Sequence, residues 1–189
     1  MIMTGHERTF LSDSRYEEQA RGEVREATFK KYKQKIEGIV QFLQWLRVKR
    51  VGFESAAMPY ESYQKLREKL PRVSFVPLSR EIAGLRARKN REELEKIRRA
   101  IRIATESFLA ASPRFKPGVK ERTAAEFLEC RMRRMGGDKP AFDSIVASGP
   151  RAALPHGAAS ETRMGPREMV VVDFGVRFQG YPSDETKTL

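Results

Sequence analysis

The chain has 189 residues, 40% of them hydrophobic, enough apolar surface for a packed core and for one or two globular domains. No apolar run reaches the roughly 18 residues that cross a membrane, and the opening residues, with His6, Glu7 and Arg8, lack the apolar segment of a secretory signal. The net charge of +12 raises nucleic acid as a partner, but no recognisable nucleic-acid module and no alternation of aromatics with Lys or Arg accompanies it. Neither a membrane nor a nucleic acid is therefore expected to bind.

In chain order, a short apolar run near Thr9 to Leu11 precedes a helical segment from about Tyr16 through Ala27. A second helix carries Ile36, Ile39, Val40, Leu43 and Leu46 on one face, followed by a strand over 50–54, a helix over 60–70 and a strand over 73–76 ahead of Pro77. This alternation is an α/β pattern. Residues 79–83 read as a linker, so the expected domains are 1–83 and 84–189. From Leu85 a helix is predicted to about Ala111, before Pro113. Leu94, Ile97, Ile101 and Phe108 recur there at helical spacing, with Glu92, Glu93 and Glu95 interleaved among Arg and Lys, as on an amphipathic helix with a solvated charged face. After a loop at Pro117–Gly118 comes a helix from about Glu121 to Met135, stopped by Gly136 and Gly137. Its Cys130 is the only cysteine, which excludes an internal disulfide, suits a reducing, cytoplasmic compartment and reads as a plain buried thiol.

The chemistry concentrates in Ala141 to Leu189. An apolar run, Met169 to Val172, leads into Asp173, and Asp184 follows eleven residues later, with Gly175 and Gly180 between them. That is how two strands of a hairpin read, and it delivers two carboxylates to neighbouring strands. Hard or borderline divalent cations favour oxygen ligands, and carboxylates shared between two ions about 3.5 to 4 Å apart recur in hydrolytic sites. His156, after Pro155, lies seventeen residues before Asp173. Each has a plain alternative: Asp173 could end its strand and bind a backbone amide, and His156 could be an ordinary loop histidine. No serine nucleophile with a partnering acid and base is evident.

The blocks A-F-D-S-I-V-A-S-G, P-H-G, V-V-V-D-F-G and P-S-D-E-T-K-T, in this order and spacing, resemble the creatinase and aminopeptidase P type of "pita-bread" metallopeptidase. D-F-G alone would be weak and would invite a kinase reading. Upstream, S-D-S-R-Y-E-E-Q looks like the end of a strand and start of a helix in the family's N-terminal domain, and K-N-R-E-E-L-E-K-I-R-R-A looks like the first long helix of its catalytic domain. The resemblance implies a mixed α/β (α+β) fold, a creatinase-like N-terminal domain before a partial pita-bread catalytic domain.

It further implies that Asp173 and Asp184 are metal ligands for two divalent ions, Mn, Co or Zn, in the complete protein. His156 matches a histidine that reaches the substrate rather than the metals, where a ring N–H can donate to the scissile carbonyl. Tyr181 and Phe142 read as packing residues, and Ser148 with Gly149 as a turn supporting the site. The implied activity is that of an Xaa-Pro aminopeptidase, acting on a peptide with proline second through metal-activated water; a homodimer is open. Xaa-Pro dipeptidase and creatinase activities share the scaffold, as do relatives without catalysis that bind partners. The family's later histidine and two glutamates have no counterpart here, so the chain is expected to be an internal piece of a longer protein, inactive alone. Lys187 stands where the family more often has arginine, which keeps the charge but loses the planar fork.

Overall fold

In the computed structural model, which describes residues 1–189, the first apolar run becomes the middle strand of a small sheet. The chain divides into two units, Met1–Arg88 and Lys89–Leu189. In the first, β1 (Ile2–Met3) pairs antiparallel with β2 (Arg8–Ser12), and β2 pairs parallel with β3 (Thr28–Lys31) across the crossover helix α1 (Glu17–Glu23). The helix predicted through Ala27 therefore stops early. Val24 leaves helical geometry at φ −87° and ψ 99°, and residues 28–31 gain a ladder on β2 that no local pattern announces.

Helix α2 (Lys35–Trp45) leads to a second parallel pair, β4 (Arg50–Phe53) and β5 (Ser74–Pro77), joined through α3 (Tyr60–Lys69). Val40 and Leu43 of α2 pack with Leu66 and Leu70, and Val51 and Phe75 close the cluster from the sheet. The expected linker at 79–83 is instead the first half of helix α4 (Ser79–Ala87). A new helix, α5 (Arg91–Ala111), begins beyond it. The Asn90 side chain accepts the Glu93 N–H at 2.9 Å while the Glu93 carboxylate accepts the Asn90 N–H at 2.7 Å. This capping box ends any continuity with α4, so the single helix expected from Leu85 is two.

In the second unit α5 and α6 (Glu121–Arg134) cover one face of an antiparallel sheet. Ala100, Ile103, Ala104, Phe108 and Ala111 of α5 are buried, whereas Leu94 and Ile101, expected on that face, are exposed. The buried face is centred on small alanines, which let the helix lie close to the sheet and leave the larger pair on its flank. Helix α6 buries Glu121, Ala124, Ala125, Leu128 and Met132. Cys130 falls on the opposite side and is exposed, which corrects the expected buried thiol. The helix ends where the Gly136 N–H meets Arg133 O and the Gly137 N–H meets Met132 O, a Schellman arrangement.

The sheet layer is built from β6 (Lys139–Pro140), β7 (Ile145–Ser148), β8 (Val170–Phe174), β9 (Val176–Phe178), β10 (Tyr181–Pro182) and β11 (Glu185–Thr188), paired as two three-stranded antiparallel sheets in the orders β10–β9–β6 and β11–β8–β7. One hairpin supplies its last four strands: Tyr181 opposes Phe178, Pro182 opposes Arg177, and the same register continues with Glu185 opposite Phe174 and Thr188 opposite Val171. Gln179 and Gly180 form its two-residue turn, both at positive φ, 49° and 85°, the mirror-image turn that matches strand twist. Midway, Gly175 lies so near the other arm that a Cβ would collide with Ser183 O and come within 3.0 Å of Phe142. Val146, Val172, Phe174 and Val176 face the helices, and the Phe174 ring stacks on Phe108 at 5.2 Å. Burying each such side chain is worth about 1.5–3 kcal/mol.

Candidate active site

Strand β8 alternates strictly: Val170, Val172 and Phe174 are buried under the helices, while Val171 and Asp173 look to the other face and are half-buried. Asp173 opposes Thr186 in the hairpin, and the Thr186 hydroxyl donates to Asp173 Oδ1 at 2.9 Å. Asp184 faces Gly175 in the same register, held by Glu185 opposite Phe174 on one side and by the Ser183 N–H to Val176 O on the other. The second arm alternates in step. Ser183 is buried and Glu185 accepts the Thr105 hydroxyl of α5 at 2.9 Å, while Asp184, Thr186 and Thr188 are exposed. Asp173 and Asp184 therefore share the face turned away from the helices as diagonal cross-strand neighbours, a relation that spans about 7–8 Å.

This donor set fits divalent cations as far as it goes. Both groups are carboxylates on one open face, and the Thr186 hydroxyl engages only one oxygen of Asp173, leaving the other free to bind an ion. No group of three or more His, Cys, Asp or Glu side chains gathers anywhere in the chain.

His156 reaches the same sheet by a different route. Beyond β7 a 3₁₀ turn (Gly149–Ala153) leads to a β-turn in which the Gly157 N–H returns to Leu154 O, with Pro155 and His156 at its corners. Ala158 then bridges to Ile145, which opposes Asp173, which opposes Thr186. Ala158, Ile145, Asp173 and Thr186 form one row across the sheet, and His156, exposed, lies two residues from its end. Asp173 and Asp184 thus lie on one hairpin, and His156 lies in a loop turn that the Ala158–Ile145 bridge joins to the neighbouring strand.

A fourth was not foreseen beyond its place at a helix start. Glu121, the first residue of α6, is fully buried, and its carboxylate takes five hydrogen bonds. Oε1 accepts the Ser148 N–H at 2.8 Å and hydroxyl at 2.9 Å; Oε2 accepts the Ser160 N–H at 3.1 Å, the Ser160 hydroxyl at 2.7 Å and Arg151 Nε at 3.2 Å. Burial pushes the carboxyl up, but the bonds from Ser160 and Ser148 outweigh it and hold Glu121 below the usual glutamate range. Nothing local marked it, since its partners lie at least 27 residues away. Tyr181, read as packing, is half-buried and donates its hydroxyl to Glu93 at 2.9 Å.

Residues 95–189 match metallopeptidase family M24 and residues 1–88 match the creatinase/prolidase N-terminal domain. The chain belongs to metallopeptidase family M24. It is 39% identical over 142 residues to the Xaa-Pro dipeptidase of Pyrococcus horikoshii, a match covering 75% of this chain and 40% of that protein. It is 34% identical over 189 residues to the uncharacterised peptidase YqhT of Bacillus subtilis (strain 168), covering 100% of this chain and 54% of that one. The X-Pro aminopeptidase of Thermotoga maritima superposes with a TM-score of 0.90 at 30% identity, over 99% of this chain and 52% of its own. The prolidase of Pyrococcus furiosus gives 0.88 at 34%, over 96% and 55%. The architecture is thus the creatinase-like N-terminal domain and pita-bread fold of M24 peptidases, and the chain spans about half the length of the relatives it matches.

Proposed function

We propose that this chain carries part of the active site of a metal-dependent Xaa-Pro aminopeptidase, which removes the residue ahead of a proline. The observation that carries the reading is the shared open face of Asp173 and Asp184 on one hairpin, with the His156 turn bridged into the same sheet. Asp173 and Asp184 hold divalent cations in this reading, Mn, Co or Zn; such ions supply Lewis acidity toward a water and a scissile carbonyl. His156, exposed beside that face, donates a ring N–H to the carbonyl oxygen as charge develops on it. Thr186 orients the Asp173 carboxylate. A dipeptidase on the same site is the second reading, favoured by relatives of Pyrococcus horikoshii and Pyrococcus furiosus at 39% and 38% identity that are named Xaa-Pro dipeptidase.

The test uses the complete, metal-loaded protein. An Xaa-Pro-Xaa tripeptide is expected to lose its first residue; cleavage of an Xaa-Pro dipeptide alone would establish the second reading, and hydrolysis of neither would overturn both. Asp173→Asn and Asp184→Asn are each expected to lower metal content and abolish cleavage. His156→Ala is expected to keep the metals and lower kcat by on the order of 10²-fold, the scale of one oriented donor to an oxyanion.

A further inference from the structure

Glu121 has a place in the fold that goes beyond the proposed metal site, and its role rests on the reading of His156 above. We infer that Glu121 is a positioning residue for His156, closing the 148–160 loop onto the core so that the imidazole is presented at a fixed place beside Asp173. One carboxylate oxygen holds Ser148, where β7 ends, through both its N–H and its hydroxyl, and the other holds Ser160, where the loop finishes, in the same two ways. Arg151 braces the interior, with Nε donating to the Glu121 carboxylate and Nη2 donating to Ala158 O at 2.7 Å. The Leu154–Gly157 turn that bears His156 lies inside this clasp.

The anchor is rigid because Glu121 begins α6, whose Ala124, Ala125 and Leu128 are locked in the core. The imidazole is exposed and takes no hydrogen bond from the protein, so its placement depends on the backbone that carries it. A buried carboxylate is tolerated only where donors replace its lost water, and all five donors here come from the loop or its two ends. Loosening the clasp should therefore displace the His156 turn before it disturbs the hairpin that carries Asp173 and Asp184.

A double-mutant cycle in the complete, metal-loaded protein tests this. Glu121→Gln, and the milder Ser160→Ala and Arg151→Lys should Glu121→Gln fail to fold, are each combined with His156→Ala. In the native background each clasp variant is expected to lower kcat by on the order of 10-fold with KM and metal content little changed, and to speed amide exchange across 149–160. In the His156→Ala background the same variants should change kcat less than about 2-fold, because the group they position is gone. Fully additive losses, or unchanged exchange in 149–160, would overturn the role of Glu121 and leave that of His156 standing. If His156→Ala were itself silent in kcat, the reading of His156 would fall and Glu121 would be a loop anchor only, whatever the exchange showed.

Discussion

A carboxylate sealed from water survives as an anion only where donors replace its hydration, and Glu121 meets that condition with partners from Ser148, Arg151 and Ser160. Its titration has a sign that can be read out. The folded carboxyl lies below its unfolded value, so its contribution to stability is fully present above the unfolded value and is lost as pH falls through the folded one. Urea midpoints measured from pH 7 down to pH 3 should therefore fall more steeply for the native chain than for Glu121→Gln. Parallel curves would show that the carboxylate titrates alike in the folded and unfolded states. Asp173 and Asp184 differ: Asp173 accepts one hydrogen bond, from Thr186, and Asp184 is exposed, which leaves both with the acceptor capacity that the proposed ligand role requires.

At the level of elements, the hairpin decides the site. Its register holds from Val171–Thr188 to Phe178–Tyr181, so the eleven-residue interval between the aspartates becomes a diagonal across two strands. The register is set at the turn, where Gln179 sits at φ 49° although it has a side chain. Left-handed backbone is disfavoured by about 1–2 kcal/mol for most residues and less for asparagine. Gln179→Asn, which creates the preferred Asn-Gly pair, is expected to raise stability by about 0.5–1 kcal/mol in urea unfolding without shifting the Asp173–Thr186 contact. No gain, or a loss, would mean that the turn does not hold this geometry in solution.

For the whole molecule, the charge of +12 and the proposed metal site lead to different expectations. Arg98 with Glu95 and Lys96 with Glu92 pair along α5, so part of the basic sequence lies in ion pairs on a solvated helix. Asp173 and Asp184 have no third His, Cys, Asp or Glu side chain gathered with them, so an ion held by this pair would leave most of its coordination sphere to water. The 189-residue chain by itself is expected to bind Mn²⁺, Co²⁺ or Zn²⁺ with a Kd of about 10⁻⁴ M or weaker. Calorimetric titration revealing a tight site for two ions in this chain would show that the ligands are arranged otherwise.

The parts of the fold whose signal is local were legible in the residues alone. The Val-Val-Val run into Asp173, the glycines at 175 and 180 and the interval to Asp184 specify a hairpin because alternation and turn chemistry act over a few residues. The Asn90–Glu93 capping box was equally legible, and reading it would have separated α4 from α5. The rest came from packing between distant segments. Thr28–Lys31 is a strand because β2 offers it a ladder, Leu94 and Ile101 lose the core face to alanines that fit the sheet, and Cys130 turns outward. Glu121 is buried and bound because Ser148 and Ser160, distant in sequence, converge on it. Such contacts are set by packing between segments far apart along the chain, and spacing within any one segment carries no record of them.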